Sequence, residues 1–331
     1  MVELKTNTEL DPKHRSQNYG HVLISSVSAK VPLIDAVKEA VKRIHKEIKV
    51  IGADINPECV GRYFVDEFWL LPKISDLNLE VFINECLNRK ISFIIPTRDG
   101  ELEFFSSNKS KFKSVGIHVM VSDITAVRRC MDKLSFSNLK IGNCDFISAY
   151  LDINELDFER YVVKERFGAG SYFVGINLSR DQSLAHSKNL VSPIFQKFIK
   201  GEEISVDCYI DSNHKIKGMV LRTRTFVLNG ESVITKTIEN SFIEKKLMSV
   251  VSELDLYGHI VLQVLLDERN EIHIIECNTR FGGASTLAIK VGLDSFYWAY
   301  LESMGNDLSN HEFVKSPAGL KQIRYSKDLY L

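Results

Sequence analysis

The sequence predicts a doubly wound α/β domain over residues 1–122, followed by a two-lobed α+β domain over the rest of the 331 residues. Up to about residue 122, short apolar runs alternate with segments whose apolar residues recur at helical spacing, which is typical of a parallel sheet covered by helices. From Asp123 onward, short strands of alternating apolar and polar residues are joined by polar turns, which indicates antiparallel hairpins.

The first half opens with the run HVLISS, which predicts a buried strand, and continues with apolar residues at helical spacing over residues 33–48. Further strands are predicted at KVIGAD, ISFIIPT and HVMVS, with a second helix between the first two of these. Such a sheet binds ligands beyond the carboxyl ends of its strands, where Ser25, Ser26, Asp54 and residues 96–101 follow. The fingerprint GxGxxG does not follow the first strand, which disfavours a nicotinamide-dependent dehydrogenase.

In the second half, Asp123 is positioned to cap a helix through ITAVRRCMDKLSF, and the strands YVVK, YFVGI and PIFQKFI come after it. The segments EISVDCYI and IKGMVLR flank the polar turn DSNHK and predict one antiparallel hairpin. The segments HIVLQVLLD and EIHIIECN predict a second hairpin.

The second hairpin carries the first candidate site. If residues 268–271 form its loop, Gln263 lies directly opposite Glu276, and opposed residues point to the same face of a sheet. Period-two alternation then brings Asn278 and Arg280 to that face. Amide and carboxylate oxygens suit Mg²⁺, and a guanidinium suits an anion. The alternative interpretation, ordinary polar residues at a strand end that reaches solvent, stays open.

A second candidate site lies in VVKERFGAGS. Lys164 ends an apolar strand, and a loop of small residues follows at Gly168, Gly170 and Ser171. Small residues allow backbone N–H groups to approach phosphate oxygens, although most such loops are merely turns. An unpaired ammonium in a buried strand is costly, which favours a ligand for Lys164.

These segments, in this order, resemble the ATP-grasp superfamily, most closely its branch similar to the large subunit of carbamoyl phosphate synthase. The run ECNTRFGG is similar to the family pattern E-x-N-x-R-x-G-G. The resemblance implies a preATP-grasp, Rossmann-like domain over residues 1–122, a small ATP-grasp lobe over 123–200, and a large lobe with a C-terminal tail over 201–331. The fold expected is therefore a doubly wound preATP-grasp domain followed by a two-lobed ATP-grasp domain.

The resemblance also implies roles for individual residues. Arg280 and Lys164 are the candidate catalytic residues, beside the transferred phosphoryl group. The implied nucleotide-binding residues are Lys133, Lys164, Gly168, Gly170, Ser171, Gln196, Lys197, Phe198, Ile199 and Glu203. Within this set, residues 196–199 receive adenine and Glu203 the ribose. The implied ligands of Mg²⁺ or Mn²⁺ are Gln263, Glu276 and Asn278.

From this resemblance we expect an ATP-dependent, ADP-forming carboxylate–amine ligase that acts through an acyl phosphate. Arg98, Arg222 and Arg224 are candidates for holding a substrate carboxylate, with surface or structural salt bridges as the alternative. Two other functions remain open: phosphorylation of bicarbonate or a hydroxyl group without ligation, and a nucleotide-binding regulatory protein without turnover.

The composition excludes some partners. The 42 basic and 43 acidic residues nearly balance, so no overall field favours nucleic acid or anionic membranes. The polar start predicts no signal peptide, no apolar run has the length of a membrane span, and the six cysteines form no CxxC pair. We expect a cytoplasmic protein with small-molecule carboxylate and amine substrates, and the sequence leaves room for a homodimer.

Overall fold

The computed structural model describes residues 19–141, 144–168, 170, 173–228 and 230–331. Their strands form three sheets, of five, four and seven strands. Within the described part of the chain, no helix is both long enough and apolar enough to span a membrane.

The five-stranded sheet is parallel throughout and is formed by the first part of the chain. Its spatial order is β3-β2-β1-β4-β5. The elements are β1 (His21–Ile24), α1 (Val31–Lys42), β2 (Val50–Asp54), β3 (Glu67–Leu70), α2 (Leu79–Asn88), β4 (Ile91–Ile95), α3 (Asp99–Ser107), α4 (Lys109–Ser114) and β5 (His118–Val119). The doubly wound α/β fold is therefore confirmed.

Two local predictions in this part were incomplete. Strand β3, with the sequence EFWL, was not predicted: it lies at the sheet edge, none of its residues is fully buried, and its apolar run, residues 68–71, is short. The helix predicted over residues 33–48 ends at Lys42. Ile44 and Ile48 lie beyond that end but are both buried, which explains why they extend the apolar stripe.

The carboxyl ends of β1 and β4 meet at the point where the strand order reverses. Glu101, in the first turn of α3, is buried there and joins the two loops. Its carboxylate accepts hydrogen bonds from Ser25 Oγ at 2.7 Å, Ser26 Oγ at 2.8 Å and the backbone N–H of Thr97 at 2.6 Å. The segment 96–101 thus lies at the edge where the sequence placed it.

The four-stranded sheet is antiparallel, with spatial order β7-β10-β8-β9. Its elements are β7 (Ala149–Tyr150), β8 (Tyr161–Glu165), β9 (Gly175–Leu178), α7 (Arg180–Ser187) and β10 (Pro193–Lys197). Lys164 on β8 lies opposite Ile194 on β10.

The seven-stranded sheet has the spatial order β16-β13-β12-β11-β14-β15-β6. Its elements are β6 (Asp145–Phe146), β11 (Gly201–Ile210), β12 (Ile216–Leu228), β13 (Glu231–Ile238), α8 (Ser241–Glu253), β14 (Gly258–Asp267), β15 (Ile272–Asn278), α9 (Thr286–Lys290), α10 (Ser295–Ser303) and β16 (Lys321–Ile323). Both predicted hairpins are confirmed, as β11–β12 and β14–β15. Strand β6 pairs with β15, although it lies in the segment that was predicted as the small lobe.

The helix predicted from Asp123 through residue 136 is wrong as a single element. It is two helices, α5 (Ile124–Met131) and α6 (Lys133–Ser137). The break occurs at Asp132, which is extended and accepts hydrogen bonds from the backbone N–H groups of Leu134 at 3.1 Å and Ser135 at 3.3 Å. Aspartate favours this capping arrangement over a helix interior.

One face of the seven-stranded sheet is apolar and the other carries the polar residues of interest. Helices α5, α6 and α8 pack through Ala126, Phe136 and Leu247 on the apolar face, in one continuous core with strands β11, β14 and β15. The opposite face looks toward the four-stranded sheet and the N-terminal sheet, and below it is called the cleft face.

Candidate functional site

The β14–β15 hairpin places three oxygen-bearing side chains together on the cleft face. Gln263 pairs with Glu276, as predicted, and Val261 pairs with Asn278 two residues further along. Asn278 Nδ2 donates a hydrogen bond to Glu276 Oε1 at 3.1 Å. The carboxylate and the two side-chain amides therefore supply oxygens to one small region.

Gln263 and Glu276 pair as predicted, but the turn of the hairpin differs from the predicted turn by one residue. A bulge on β15 compensates for that difference. Nearest the loop, Leu266 pairs with Ile272, one residue away from the predicted register. The register shifts between Gln263 and Val264, and Ile275 is the extra residue on β15. A bulge turns a strand locally, and here both Ile275 and Glu276 line the same cavity.

That cavity lies between the four-stranded and seven-stranded sheets and has a volume of about 680 Å³. Its apolar lining includes Ile147, Val162, Val174, Ile176, Leu265 and Ile275, while Lys164, Glu203, Gln263 and Glu276 supply polar groups. The predicted hinge residues Gln196, Lys197, Phe198 and Ile199 also line it. We call it the inter-sheet cavity.

Lys164 is the most unusual charged group of the inter-sheet cavity because only 6% of it is exposed. Burial lowers the pKa of its ammonium to about 8, against the opposing effect of the Glu276 carboxylate and with a further lowering by Lys133. Among the described residues it forms no ion pair, so its positive charge has no direct partner. A buried, unpaired ammonium is stabilised by an anionic ligand.

Several polar groups of this cavity already have protein partners. The Gln196 side chain donates to Ile147 O, and the Phe198 N–H donates to Arg160 O at 3.0 Å. Glu203 accepts a hydrogen bond from Arg224 Nη1 at 2.6 Å. Burial raises the pKa of Glu203, and the neighbouring Arg224 opposes that shift.

Gly168 and Gly170, the two described residues of the glycine loop, line the inter-sheet cavity. Gly168 and Gly170 have φ angles of 114° and 79°, a region that other residues adopt only with strain. Lys133 Nζ donates to Gly168 O at 2.5 Å and so lies against the same loop. Ser171, also predicted to bind nucleotide, lies outside the described residues.

A second cavity, of about 780 Å³, adjoins the first. Residues 28–33 and 97–100 of the N-terminal unit form one wall, and residues 276–283 form the opposite wall. Lys133, Gly168, Gly170 and Glu276 line both cavities. We call it the junction cavity, because it lies between the N-terminal unit and the hairpin.

Arg280 lines the junction cavity, and its guanidinium is held by the N-terminal unit. Its Nε donates to Asp99 Oδ1 at 2.9 Å and its Nη2 to Asp99 Oδ2 at 2.6 Å. The forked pair connects β15 to the start of α3. An anion that approaches Arg280 therefore competes with Asp99 for the same two donors.

The three arginines predicted to hold substrate lie in different environments. Arg98 is exposed and lines the junction cavity. Arg222 is buried and donates from Nε to Asp207 Oδ2 at 2.7 Å, while Arg224 binds Glu203. Neither Arg222 nor Arg224 lines the junction cavity, so the structure favours the structural salt-bridge alternative for both.

Asp207 anchors a buried network behind the cleft face. His259 Nε2 lies 3.1 Å from its Oδ1, on the side away from Arg222. Burial alone would raise the pKa of Asp207, but the nearby Arg222 and His259 lower it below its ordinary value. The network orders the sheet behind Glu276 without reaching either cavity.

Sequence reasoning missed Lys30, Glu231 and Arg324 as lining residues of the junction cavity, whereas Asp99 belongs to the segment 96–101 that was placed at this edge. Lys30 follows the first strand and could have been placed at the carboxyl edge by the argument used for Ser25 and Ser26. Arg324 lies in the C-terminal tail, which β16 attaches to β13, and no local pattern marks that pairing.

Comparison with known proteins agrees with this architecture. The family model for an ATP-grasp domain matches residues 137–284, and the model described as PylC-like, N-terminal domain matches residues 22–120. No curated protein matches the chain in sequence.

Solved structures share the fold across nearly the whole chain. The biotin carboxylase domain of 2-oxoglutarate carboxylase from Hydrogenobacter thermophilus has a TM-score of 0.70 and 14% identity, over 90% of this chain and 73% of its own. N5-carboxyaminoimidazole synthetase from Staphylococcus aureus has a TM-score of 0.66 and 15% identity, over 88% and 78%. L-amino acid ligase from Bacillus licheniformis has a TM-score of 0.62 and 16% identity, over 87% and 75%. Residues 137–284 therefore form an ATP-grasp domain, preceded by a PylC-like N-terminal domain over residues 22–120.

Proposed function

We propose that this protein is an ATP-dependent, ADP-forming ligase that activates a carboxylate as its acyl phosphate and couples it to an amine. The observation that carries this proposal is the meeting of the two cavities at Glu276, Lys133 and the glycine loop. A nucleotide in the inter-sheet cavity would place its terminal phosphates there, within reach of a second substrate in the junction cavity.

The inter-sheet cavity fits ATP in both shape and charge. Its apolar lining suits a purine base next to residues 196–199, and Glu203, which lines the same cavity, would contact the ribose. Lys164 supplies a buried positive charge that lacks a partner among the described residues, and Lys133 adds another at the mouth. Phosphoryl transfer depends mainly on such positioning and charge stabilisation.

The side chains of Gln263, Glu276 and Asn278 fit Mg²⁺ or Mn²⁺, because all three offer oxygen atoms from paired positions of the β14–β15 hairpin. When bound, the metal ion would offset the negative charge of the terminal phosphates. The protein residues position the phosphates and the acid relative to one another.

The reaction follows from where these charges lie. A carboxylate in the junction cavity attacks the γ-phosphorus, the bond between the γ-phosphorus and the β–γ bridging oxygen breaks, and ADP leaves with that oxygen. An amine then attacks the acyl carbon, loses a proton and releases phosphate. Arg280 would exchange Asp99 for the transferring phosphoryl group. Attack on the α-phosphorus would instead require the acid to enter the inter-sheet cavity toward Glu203, which does not line the junction cavity.

The structural relatives support the same reaction class. The Hydrogenobacter thermophilus structure contains MgADP and bicarbonate, and the Staphylococcus aureus structure contains ADP. We propose ATP and Mg²⁺ as cosubstrate and cofactor here as well. Bicarbonate phosphorylation is the second candidate, because a relative binds bicarbonate, and it requires the same attack on the γ-phosphorus. A cytoplasmic location and a homodimer stay predictions.

The test is ADP release from Mg-ATP by the purified chain, with a panel of amino acids and other small acids, each with and without an amine, and with bicarbonate. ADP release that requires both an acid and an amine supports the ligase. Release with bicarbonate or one acceptor alone would move the assignment to the second candidate. ATP binding without release under any condition would favour the regulatory alternative.

A further inference from the structure

The charged side chains of the junction cavity are unequally paired. Its lining includes five cations, Lys30, Arg98, Lys133, Arg280 and Arg324, and three acids, Asp99, Glu231 and Glu276. Asp99 binds Arg280, and Glu231 binds Arg324 at 2.5 Å. Lys133 and Glu276 lie at the nucleotide side. Two cations, Lys30 and Arg98, are left on the wall of the N-terminal unit.

Lys30 directly precedes α1 and is partly buried. Its Nζ donates to Ser26 O at 2.5 Å, and it forms no ion pair with any residue of the described ranges. Burial lowers the pKa of Lys30, the nearby Glu101 opposes this, and Arg280 and Arg98 lower the pKa further. Lys30 therefore lies near two other cations of the cavity, Arg98 and Arg280, with Asp54 as a further nearby acid.

The nearby carboxylate of Glu101 does not offset the charge of Lys30 by direct contact. Both Glu101 oxygens already accept hydrogen bonds, from Ser25 Oγ and Ser26 Oγ, and a further bond comes from the backbone N–H of Arg98 at 2.9 Å. Glu101 is also buried beneath the loops, with only 5% of its surface exposed. It holds the loops in place while Lys30 and Arg98 remain available to a ligand.

Arg98 directly precedes α3, on the loop next to that of Lys30, because β1 and β4 are adjacent strands. Its guanidinium makes no hydrogen bond or ion pair within the described part of the chain. It also borders a smaller cavity of about 300 Å³, lined partly by Ile55, Leu71 and Ile74. Arg98 thus lines both the junction cavity and this smaller cavity.

We propose that Lys30 and Arg98 together bind an anionic group, a carboxylate or a phosphate, that one substrate carries in addition to the group that reacts. This inference rests on the proposed function, which assigns the reacting carboxylate to the opposite wall near Glu276 and Arg280. The junction cavity, at about 780 Å³, is large for a single carboxylate and suits a molecule with two separated polar ends. The substrate class is therefore a small acid or amine with a second, unreacted anion.

The kinetic test uses the substrate pair that the ADP-release panel identifies, with Lys30→Met and Arg98→Gln. Each variant should raise the KM for the doubly functional substrate about tenfold or more, as expected for the loss of a charge-assisted hydrogen bond, with kcat and the KM for ATP within about twofold. Lys42→Met and Arg269→Gln, both exposed and outside the cavities, serve as matched controls. Lys30→Arg should retain most of the affinity.

A substrate analogue tests whether Lys30 and Arg98 recognise the unreacted anion itself. Converting the unreacted anion to its amide should raise the KM of the wild-type protein about tenfold, and should cause little further loss in Lys30→Met or Arg98→Gln. A wild-type enzyme that turns over while both variants keep wild-type KM values for acid and amine would overturn the inference and leave the ligase intact.

A binding measurement separates this inference from the proposed function. Calorimetry at constant ionic strength compares succinate with butyrate and 3-phosphoglycerate with glycerate, so each pair differs by one anionic group. Tighter binding of the doubly charged member, lost in Lys30→Met and Arg98→Gln, would support the site even without ADP release. Equal binding within both pairs, or a preference that persists in both variants, would refute it.

Discussion

Replacing Lys164 by methionine should stabilise the nucleotide-free protein while it abolishes nucleotide binding. Lys164 is 6% exposed on β8, and burial lowers the pKa of its ammonium from 10.5 to about 8. At about 1.4 kcal/mol per pH unit, the charged form costs about 3 kcal/mol in the folded protein. Methionine removes this cost and fills a similar volume, but it also removes the favourable effect on Glu276, so we expect a gain of about 1–3 kcal/mol.

The sign of the pH dependence distinguishes this cause from better packing. Between the folded pKa of about 8 and the unfolded value of 10.5, the unfolded chain binds more protons at Lys164, so wild-type stability rises with pH. The destabilisation caused by the charged Lys164 ammonium is complete below pH 8 and decreases as the pH approaches 10.5. The advantage of Lys164→Met should therefore be largest near pH 7 and shrink progressively by pH 9.5.

Urea unfolding of wild type, Lys164→Met and the exposed control Lys42→Met at several pH values between 7 and 9.5 measures the difference. Calorimetry with Mg-ATP should show binding to wild type and the control but not to Lys164→Met. Two results would refute the argument that the buried Lys164 ammonium destabilises the folded protein. One is a Lys164→Met protein that is less stable than wild type at pH 7, and the other is a stability gain that does not change with pH.

Three further predictions concern neighbouring residues. Glu276→Gln should lower kcat about 10²- to 10³-fold with the melting temperature within about 2 °C of wild type, measured by ADP release and calorimetry; near-normal turnover would contradict the site. Arg280→Lys should lower kcat by about 10²-fold with little change in the KM for ATP, because lysine cannot donate the forked pair of hydrogen bonds; equal kcat values would contradict its role at the phosphoryl group. Asp207→Asn should cost about 3–5 kcal/mol in urea unfolding, because Arg222 is left without its buried partner; a loss below about 1 kcal/mol would contradict that assignment.

The sequence predicted the parts of the fold that have a strong local period. The parallel strands of the N-terminal sheet are continuous apolar runs, and the β14–β15 hairpin consists of two strongly apolar segments on either side of a polar turn. Gln263 and Glu276 were placed opposite each other, although the turn and the bulge at Ile275 were not foreseen. Two offsets of one residue cancelled, because the bulge restored the pairing that a different loop had shifted.

The missed elements depend on contacts that are distant in sequence. Strand β6 has two residues and joins the seven-stranded sheet only through β15, and β16 joins through β13 in the same way. The break at Asp132 depends on its capping bonds and on Arg166, whose Nε and Nη2 bind the Asp132 carboxylate at 2.7 and 2.6 Å. The apolar residues keep their helical spacing on both sides of Asp132, so the sequence pattern does not indicate where the helix is interrupted.

The arginines show the same limit at the candidate site. Arg222 and Arg224 lie on the cleft face as their strand suggested, but Asp207 and Glu203, each of which accepts a hydrogen bond from one of them, come from the adjacent β11. The sequence shows that these cations exist, and only the pairing of strands shows which of them are neutralised. Of the three arginines predicted to hold substrate, Arg98 alone forms no ion pair with any residue that the structure describes.

The formation of an acyl phosphate is the central claim, and isotope transfer tests it most directly. The acid substrate, labelled with ¹⁸O at both carboxylate oxygens, is turned over with Mg-ATP and the amine, and the phosphorus products are resolved by ³¹P NMR. Attack on the γ-phosphorus predicts ADP together with inorganic phosphate that carries one ¹⁸O atom from the carboxylate. Unlabelled phosphate, or AMP and pyrophosphate with the label in AMP, would contradict the account.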